Sequence, residues 1–205
     1  MGRVCAIATI RAMSSAGAIN LTNQFLIAMP GMADEMFAGS VVYLCEHTER
    51  GALGLVINKP IDIKLKNLFE RVDLTLDRPE LADEPVYFGG PVQTERGFVL
   101  HDHLVSDVPG YNSTLSVPDG LDMTTSRDVL EALSQGAGPR RVLITLGYAG
   151  WGAGQLEDEL SRNGWLNVQA DPGIIFDTPV EQRYSRALSL LGVDPGMLSQ
   201  EAGHA

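Results

Sequence analysis

The sequence predicts an α+β domain built on a mixed or partly closed sheet. Three observations point there. Strand-like runs cluster in the first half, helical patterns scatter through the second, and no regular βα alternation of a doubly wound fold connects them. The 205 residues suffice for one domain with a full core, and neither an internal repeat nor an interdomain linker divides them.

The elements follow in order. Residues 25–29 are continuously apolar and read as a buried strand ended by Pro30-Gly31. Residues 40–47 and 52–58 are rich in Val, Leu and Tyr, and the short polar link between them predicts a hairpin. Pro60 is expected to stop that strand, after which Leu65, Leu68, Phe69 and Val72 recur at helical spacing. Residues 73–84 are polar and Pro-containing, hence a loop. Residues 85–88 and 97–101 bracket Gly89-Gly90-Pro91 as a strand pair, and residues 113–117 add a short strand. Thr124 or Thr125 is suited to cap a helix through Ser134, with Val129, Leu130 and Leu133 inward and Gly136 and Gly138 at its end.

A strand at 142–146 then enters a turn at 147–154 holding four glycines, Tyr148 and Trp151. The helix beyond begins with Gln155, and Glu157, Asp158 and Glu159 complement its positive end. Those carboxylates would repel a phosphate, and no Lys-Ser/Thr pair completes a P-loop. Residues 174–176 read as a short strand. Pro179 opens a last helix with Tyr184, Leu188 and Leu191 on its apolar side.

The formal net charge of -11 weighs against a duplex-binding face, which needs clustered Lys and Arg, and against anionic membranes. No apolar stretch approaches the roughly 18 to 20 residues that span a bilayer. Arg3, the apolar residues 4–10 and the small residues 14–18 faintly mimic a secretory signal, but Arg11 interrupts it. Residues 1–20 are therefore expected to be a poorly ordered extension, with Met13 as an alternative start, ahead of a single domain over 21–205. Two cysteines, Cys5 and Cys45, make no disulfide framework, so a reducing cytoplasm fits.

Ten ordered motifs carry a resemblance. They are Phe25-Leu-Ile-Ala-Met-Pro30, Val42-Tyr-Leu-Cys-Glu-His47, Gly54-Leu-Val-Ile-Asn-Lys-Pro60, Gly89-Gly-Pro-Val92 and Arg96-Gly-Phe-Val-Leu-His101. Thr125-Ser-Arg-Asp-Val-Leu130, Gly147-Tyr-Ala-Gly-Trp151, Gly154-Gln-Leu-Glu157, Trp165-Leu166 and Ala202-Gly-His-Ala205 complete them. Together they resemble the bacterial YqgE/AlgH family from about Leu21 to the last residue. The resemblance implies a cytoplasmic α+β domain with a mixed, partly barrel-like sheet flanked by helices. Members are often labelled transcriptional regulators, and no catalytic residue set belongs to the family. A relative carries a cysteine after the Trp-Leu motif where this chain reads Asn167-Val168, so no thiol role transfers there.

Each constellation has a chemical and a packing reading. Cys45 and His47, two apart on a strand, are expected on one face, where an imidazole could hold a thiolate for redox or hydrolytic chemistry. Cysteine is among the most buried residue types, so packing outweighs that pairing. His101 and His103 form an H-x-H that His47 could join, yet no second cysteine is suitably placed and no metal or cofactor is expected. Gly89 and Gly90 amides could help Arg96 hold an anion. The heavier alternative is that Arg96 pairs with a carboxylate and the glycines turn the chain. Tyr148 and Trp151 suit a binding patch, whereas Trp165 suits packing. No G-x-S-x-G, H-E-x-x-H or G-x-G-x-x-G signature points to an enzyme.

The leading expectation is a non-catalytic cytoplasmic binding or regulatory domain with a protein or small-molecule partner. Its face would join Gly89, Gly90, Pro91, Arg96 and His101 to Tyr148, Trp151 and Gln155, with His47 and Asn58 beside them. The rivals are a Cys45/His47 redox sensor or small hydrolase, and direct DNA binding.

Overall fold

Continuous apolar runs build strands buried on both faces, and that double burial sets the architecture. The computed structural model describes residues 20–104 and 110–192. Residues 1–19 of the expected N-terminal extension, with Cys5, and the terminal Ala202-Gly-His-Ala205 motif lie outside the described residues.

The strands are β1 (Gln24–Ala28), β2 (Val41–Thr48), β3 (Gly51–Val56), β4 (Pro60–Lys64), β5 (Pro85–Phe88), β6 (Val92–His101), β7 (Thr114–Ser116), β8 (Asp122–Thr124), β9 (Val142–Gly152) and β10 (Trp165–Gln169). The helices are α1 (Leu65–Arg71), α2 (Asp128–Ser134), α3 (Gln155–Ser161), α4 (Pro172–Phe176) and α5 (Val180–Ser189), with a 3-10 turn at Pro79–Leu81. The sheet runs β10-β1-β2-β3-β9-β6-β8-β7, with β5 on β9 and β4 on β5. Every pairing is antiparallel except β5 with β9.

Alternation along β1 and β2 divides the core. Phe25, Ile27, Tyr43 and Cys45 face inward with Ile174 and Ile175 of α4 and Ala187 and Leu188 of α5. Leu26, Ala28, Val42 and Leu44 face outward beneath Leu156 of α3. Farther along, Val86, Val99 and Ile144 pack under Leu65 and Phe69 of α1 and Val129 and Leu133 of α2. The sheet thus curls as a half-barrel around one apolar filling, with two helical layers outside it. Each fully buried Leu, Ile or Phe contributes about 1.5–3 kcal/mol, so three contiguous clusters dominate stability.

Several sequence expectations are corrected. Residues 174–176 are helical. Asp171 accepts the Gly173 N–H at 2.8 Å and Pro172 starts the turn, whereas a three-residue apolar run alone cannot distinguish strand from helix. Pro60 begins β4 rather than merely stopping a strand. Thr124 lies in β8, and α2 is capped by neither threonine. Residues 85–88 and 97–101 do not pair with each other, because β9 lies between them. Leu191 is exposed beyond the end of α5.

Candidate functional site

The centre of the site is β9, which continues through the residues read from sequence as a turn. Gly147, at φ +73°, is a kink inside this strand. Before it, odd residues such as Leu143 serve the inner core; after it, Ala149 and Trp151 serve the outer α3 layer. One edge of β9 carries β5 at Thr145 and Leu146 and then β3 at 149–152. The other carries β6, whose pairing ends at Val92 opposite Tyr148.

To pass from one edge to the other, residues 89–91 cross the face of β9. Gly89 bridges β9 and β3, donating its N–H to Leu146 O and accepting from Val56 N–H, each at 2.9 Å. A Cβ on Gly89 would stand 2.1 Å from Gly147 O, and one on Gly90 would stand 2.1 Å from the Tyr148 carbonyl carbon. Both glycines are buried, so they serve close backbone approach rather than an exposed anion cradle.

Beyond Val92 the β6 side of residues 150–152 is open among the described residues, and a cavity flanks it on each face of the sheet. The first, of about 450 Å³, is lined by Glu46, Arg50, Leu53, Val92, Tyr148 and Gly150. The second, of about 280 Å³, is lined by Met32, Phe37, Pro91, Trp151, Gln155 and Trp165, with Asp34 and Glu159 at hand. Gly150 and Trp151 line both. Phe37, Trp151 and Trp165 pack against one another with ring centroids 5.6–6.3 Å apart.

Carboxylates of α3 lock the second wall. Trp151 and Trp165 both donate their indole N–H to Glu159 Oε2, at 2.9 and 2.8 Å. Gln155 Nε2 donates to Glu159 Oε1 at 2.9 Å while its Oε1 accepts the Gly152 N–H at 3.0 Å. His47 Nδ1 accepts from Leu21 N–H at 3.1 Å, so its Nε2–H is the one directed to Glu157 Oε1 at 3.0 Å. Glu157 and Asp158 stand in the first turn of α3, where they suit its positive end, and the side chains of Glu157 and Glu159 also fasten the helix to the sheet.

The expected site residues therefore separate into two groups. Pro91, Tyr148, Trp151 and Gln155 meet around Gly150. Arg96 is exposed, donates to Thr125 Oγ1 at 3.0 Å and stands 5.9 Å over Phe98, whose ring lies edge-on to Tyr148. It is one ring removed from the cleft. Asn58 holds the 39–41 segment, accepting from Val41 N–H at 2.8 Å and donating to Gly39 O at 2.9 Å. His101 is fully buried between Asp102 O and Thr124 Oγ1, and burial pushes its imidazole below the ordinary range, so it is a core residue. His103 bonds Asp122 at 2.8 Å.

The Cys45/His47 pairing is also corrected. A β-bulge between Leu44 and Glu46 shifts the register, so Cys45 points into the inner core while His47, opposite Ala52, points to the α3 layer. Cys45 is 1% exposed, and desolvation, aided by the Glu46 charge, raises its thiol well above the usual value. That removes the thiolate this rival requires. Sequence reasoning missed Phe37, Met32, Leu53 and Glu46. The 31–39 loop, with Met32, Met36 and Phe37 among small and acidic residues, was the available signal for the first two.

Comparison with known proteins places the chain in context. A family model described as AlgH-like matches residues 25–196. A UPF0301 protein of Ralstonia nicotianae is 68% identical over 187 residues, covering 91% of this chain and 96% of the relative. One from Cupriavidus metallidurans is 69% identical over 192 residues, covering 94% and 99%. The solution structure of the AlgH protein from Pseudomonas aeruginosa superposes with a TM-score of 0.73 at 50% identity, covering 94% of this chain and all of that one. A Corynebacterium diphtheriae crystal structure shares the fold at 21% identity and a TM-score of 0.63, covering 81% of this chain and 86% of that one.

Proposed function

Because this chain belongs to the AlgH-like family, whose half-barrel it shares, we propose that it is a non-catalytic binding or regulatory domain acting through a partner at the Gly150 cleft. One observation carries this reading: a strand edge ends between two cavities, on a scaffold fixed from both sides by crossing glycines and by α3. Function commonly sits where a rigid frame leaves shaped, partly apolar surface. A regulatory role exercised in the cytoplasm through a protein, rather than through DNA, accords with the net charge of -11.

The test compares cytoplasmic extract captured on the wild-type protein and on Gly150→Leu. Gly150 is exposed and a Cβ there meets nothing closer than the Tyr148 ring at 3.1 Å, so Leu fills the cleft without entering the core. Loss of a bound component with Gly150→Leu, and its retention with His103→Ala, is expected. Identical capture by both proteins contradicts the reading.

A further inference from the structure

We infer that the cleft takes an extended peptide segment of a partner protein, added as a short strand along residues 150–152 of β9; this rests on the binding reading above. The geometry of the strand supplies the backbone side of the argument. β3 pairs with β9 from Gly54↔Ala149 to Gly51↔Gly152, whereas β6 departs after Val92↔Tyr148. The Gly152 N–H is taken by the Gln155 side chain, and ladder alternation turns the backbone groups of Gly150 the same way, toward the side β6 has left. Natural edges are blunted with Lys, Pro or bulges, yet residues 149–152 read Ala-Gly-Trp-Gly with none of these. Only the Gly152 N–H is covered, by Gln155, which leaves Gly150 as the group a partner strand would pair.

The cavities supply the side-chain half. Successive residues of an added strand point to opposite faces. One would enter the pocket of Phe37, Trp151 and Trp165, and the next would enter the groove of Leu53, Val92 and Tyr148. Strand addition uses this division: main-chain bonds hold the peptide and alternate pockets select it.

Charge selects its composition. Asp34 and Glu159 at the aromatic pocket make no ion pair with a described residue, and Glu159 is held by three neutral N–H donors. At the groove, by contrast, Glu46 is offset in charge by Arg50 on the same wall. Arg162, at the same pocket, is already paired with Asp158 at 2.8 Å. A basic side chain fits the aromatic pocket, its stem along the rings and its cation at the carboxylates. An apolar side chain fits the Tyr148 groove, so the recognised segment alternates basic with apolar residues.

A displayed library of random octapeptides, panned on the wild-type protein and depleted on Gly150→Leu, tests this. The expected winners alternate basic and apolar residues. A synthetic winner should lose at least about tenfold in affinity when its residues of one parity are backbone N-methylated, and little at the other parity. Its binding should slow exchange of the Gly150 amide. Winners that bind at the cleft yet tolerate N-methylation at both parities overturn strand addition and leave the binding reading standing. Enrichment that is the same on both proteins, or none at all, also overturns it. If extract capture is unaffected by Gly150→Leu as well, the binding reading falls with it.

Discussion

Gly90→Ala is the substitution that presses hardest on the crossing at the heart of the fold. Gly90 has φ +152°, and an added Cβ would lie 2.1–2.2 Å from the carbonyl carbon and oxygen of Tyr148 and the nitrogen of Ala149. An ordinary contact begins near 3.4 Å, so the two backbones must separate by about 1.3 Å, the difference between 3.4 and 2.1 Å. All three obstacles are main-chain atoms of β9, which is tied to β3 on one side and β6 on the other. Overpacking costs about 1–3 kcal/mol and backbone strain about 1–3 kcal/mol, together on the order of 2–6 kcal/mol. That is a large share of a domain stability of about 5–15 kcal/mol. Gly150→Val, three residues beyond the kink, relieves a glycine in a strand and meets only a side-chain edge. It should fall within about 1 kcal/mol of wild type. Urea unfolding followed by tryptophan fluorescence measures both at constant m. A Gly90→Ala protein within about 0.5 kcal/mol of wild type, or a more damaging Gly150→Val, refutes the crossing argument.

Three further outcomes are expected. Glu159→Leu strips two buried indole N–H groups of their acceptor and should cost about 2–4 kcal/mol, with Glu159→Gln about half that; calorimetric melting that leaves Glu159→Leu near wild type contradicts the clamp. In a Cys5→Ser background, Cys45 should react with iodoacetamide at pH 8 at least about 100-fold more slowly in the native protein than in urea, because burial raises its thiol. Rapid native labelling contradicts that. His101 has its folded pKa lowered from 6.5 by burial, so the unfolded chain takes up the proton first. Its contribution to stability is full above 6.5 and is lost as pH falls through the lower folded value. An NMR titration of the ring with a midpoint at or above 6.5 contradicts this, and His101→Gln should flatten that part of the stability–pH curve.

The sequence announced the sheet better than it announced the site, for physical reasons. The β2–β3 hairpin and the buried β1 were legible because apolar alternation and runs are local signals. Gly89, Gly90 and Gly147 were legible as special positions, but a glycine that permits a tight turn and one that permits two backbones to cross look alike in a chain. The separation of Cys45 from His47 depends on a single bulge residue, which reverses every later side chain of the strand and leaves no mark in composition. β10 was missed because Trp165 to Gln169 alternates over five residues, too short to outweigh its polar members. Phe37 and Glu159 became site residues only through contacts across more than 100 positions of sequence or onto another element.

The central claim is that function resides where β6 leaves β9. Amide hydrogen exchange of residues 149–152, measured free and with the component captured from cytoplasmic extract, tests it most directly. The account predicts slowing centred on Gly150, with Tyr148 and Trp151 affected beside it. Unchanged exchange there, with protection appearing instead on the α1–α2 face, would contradict it.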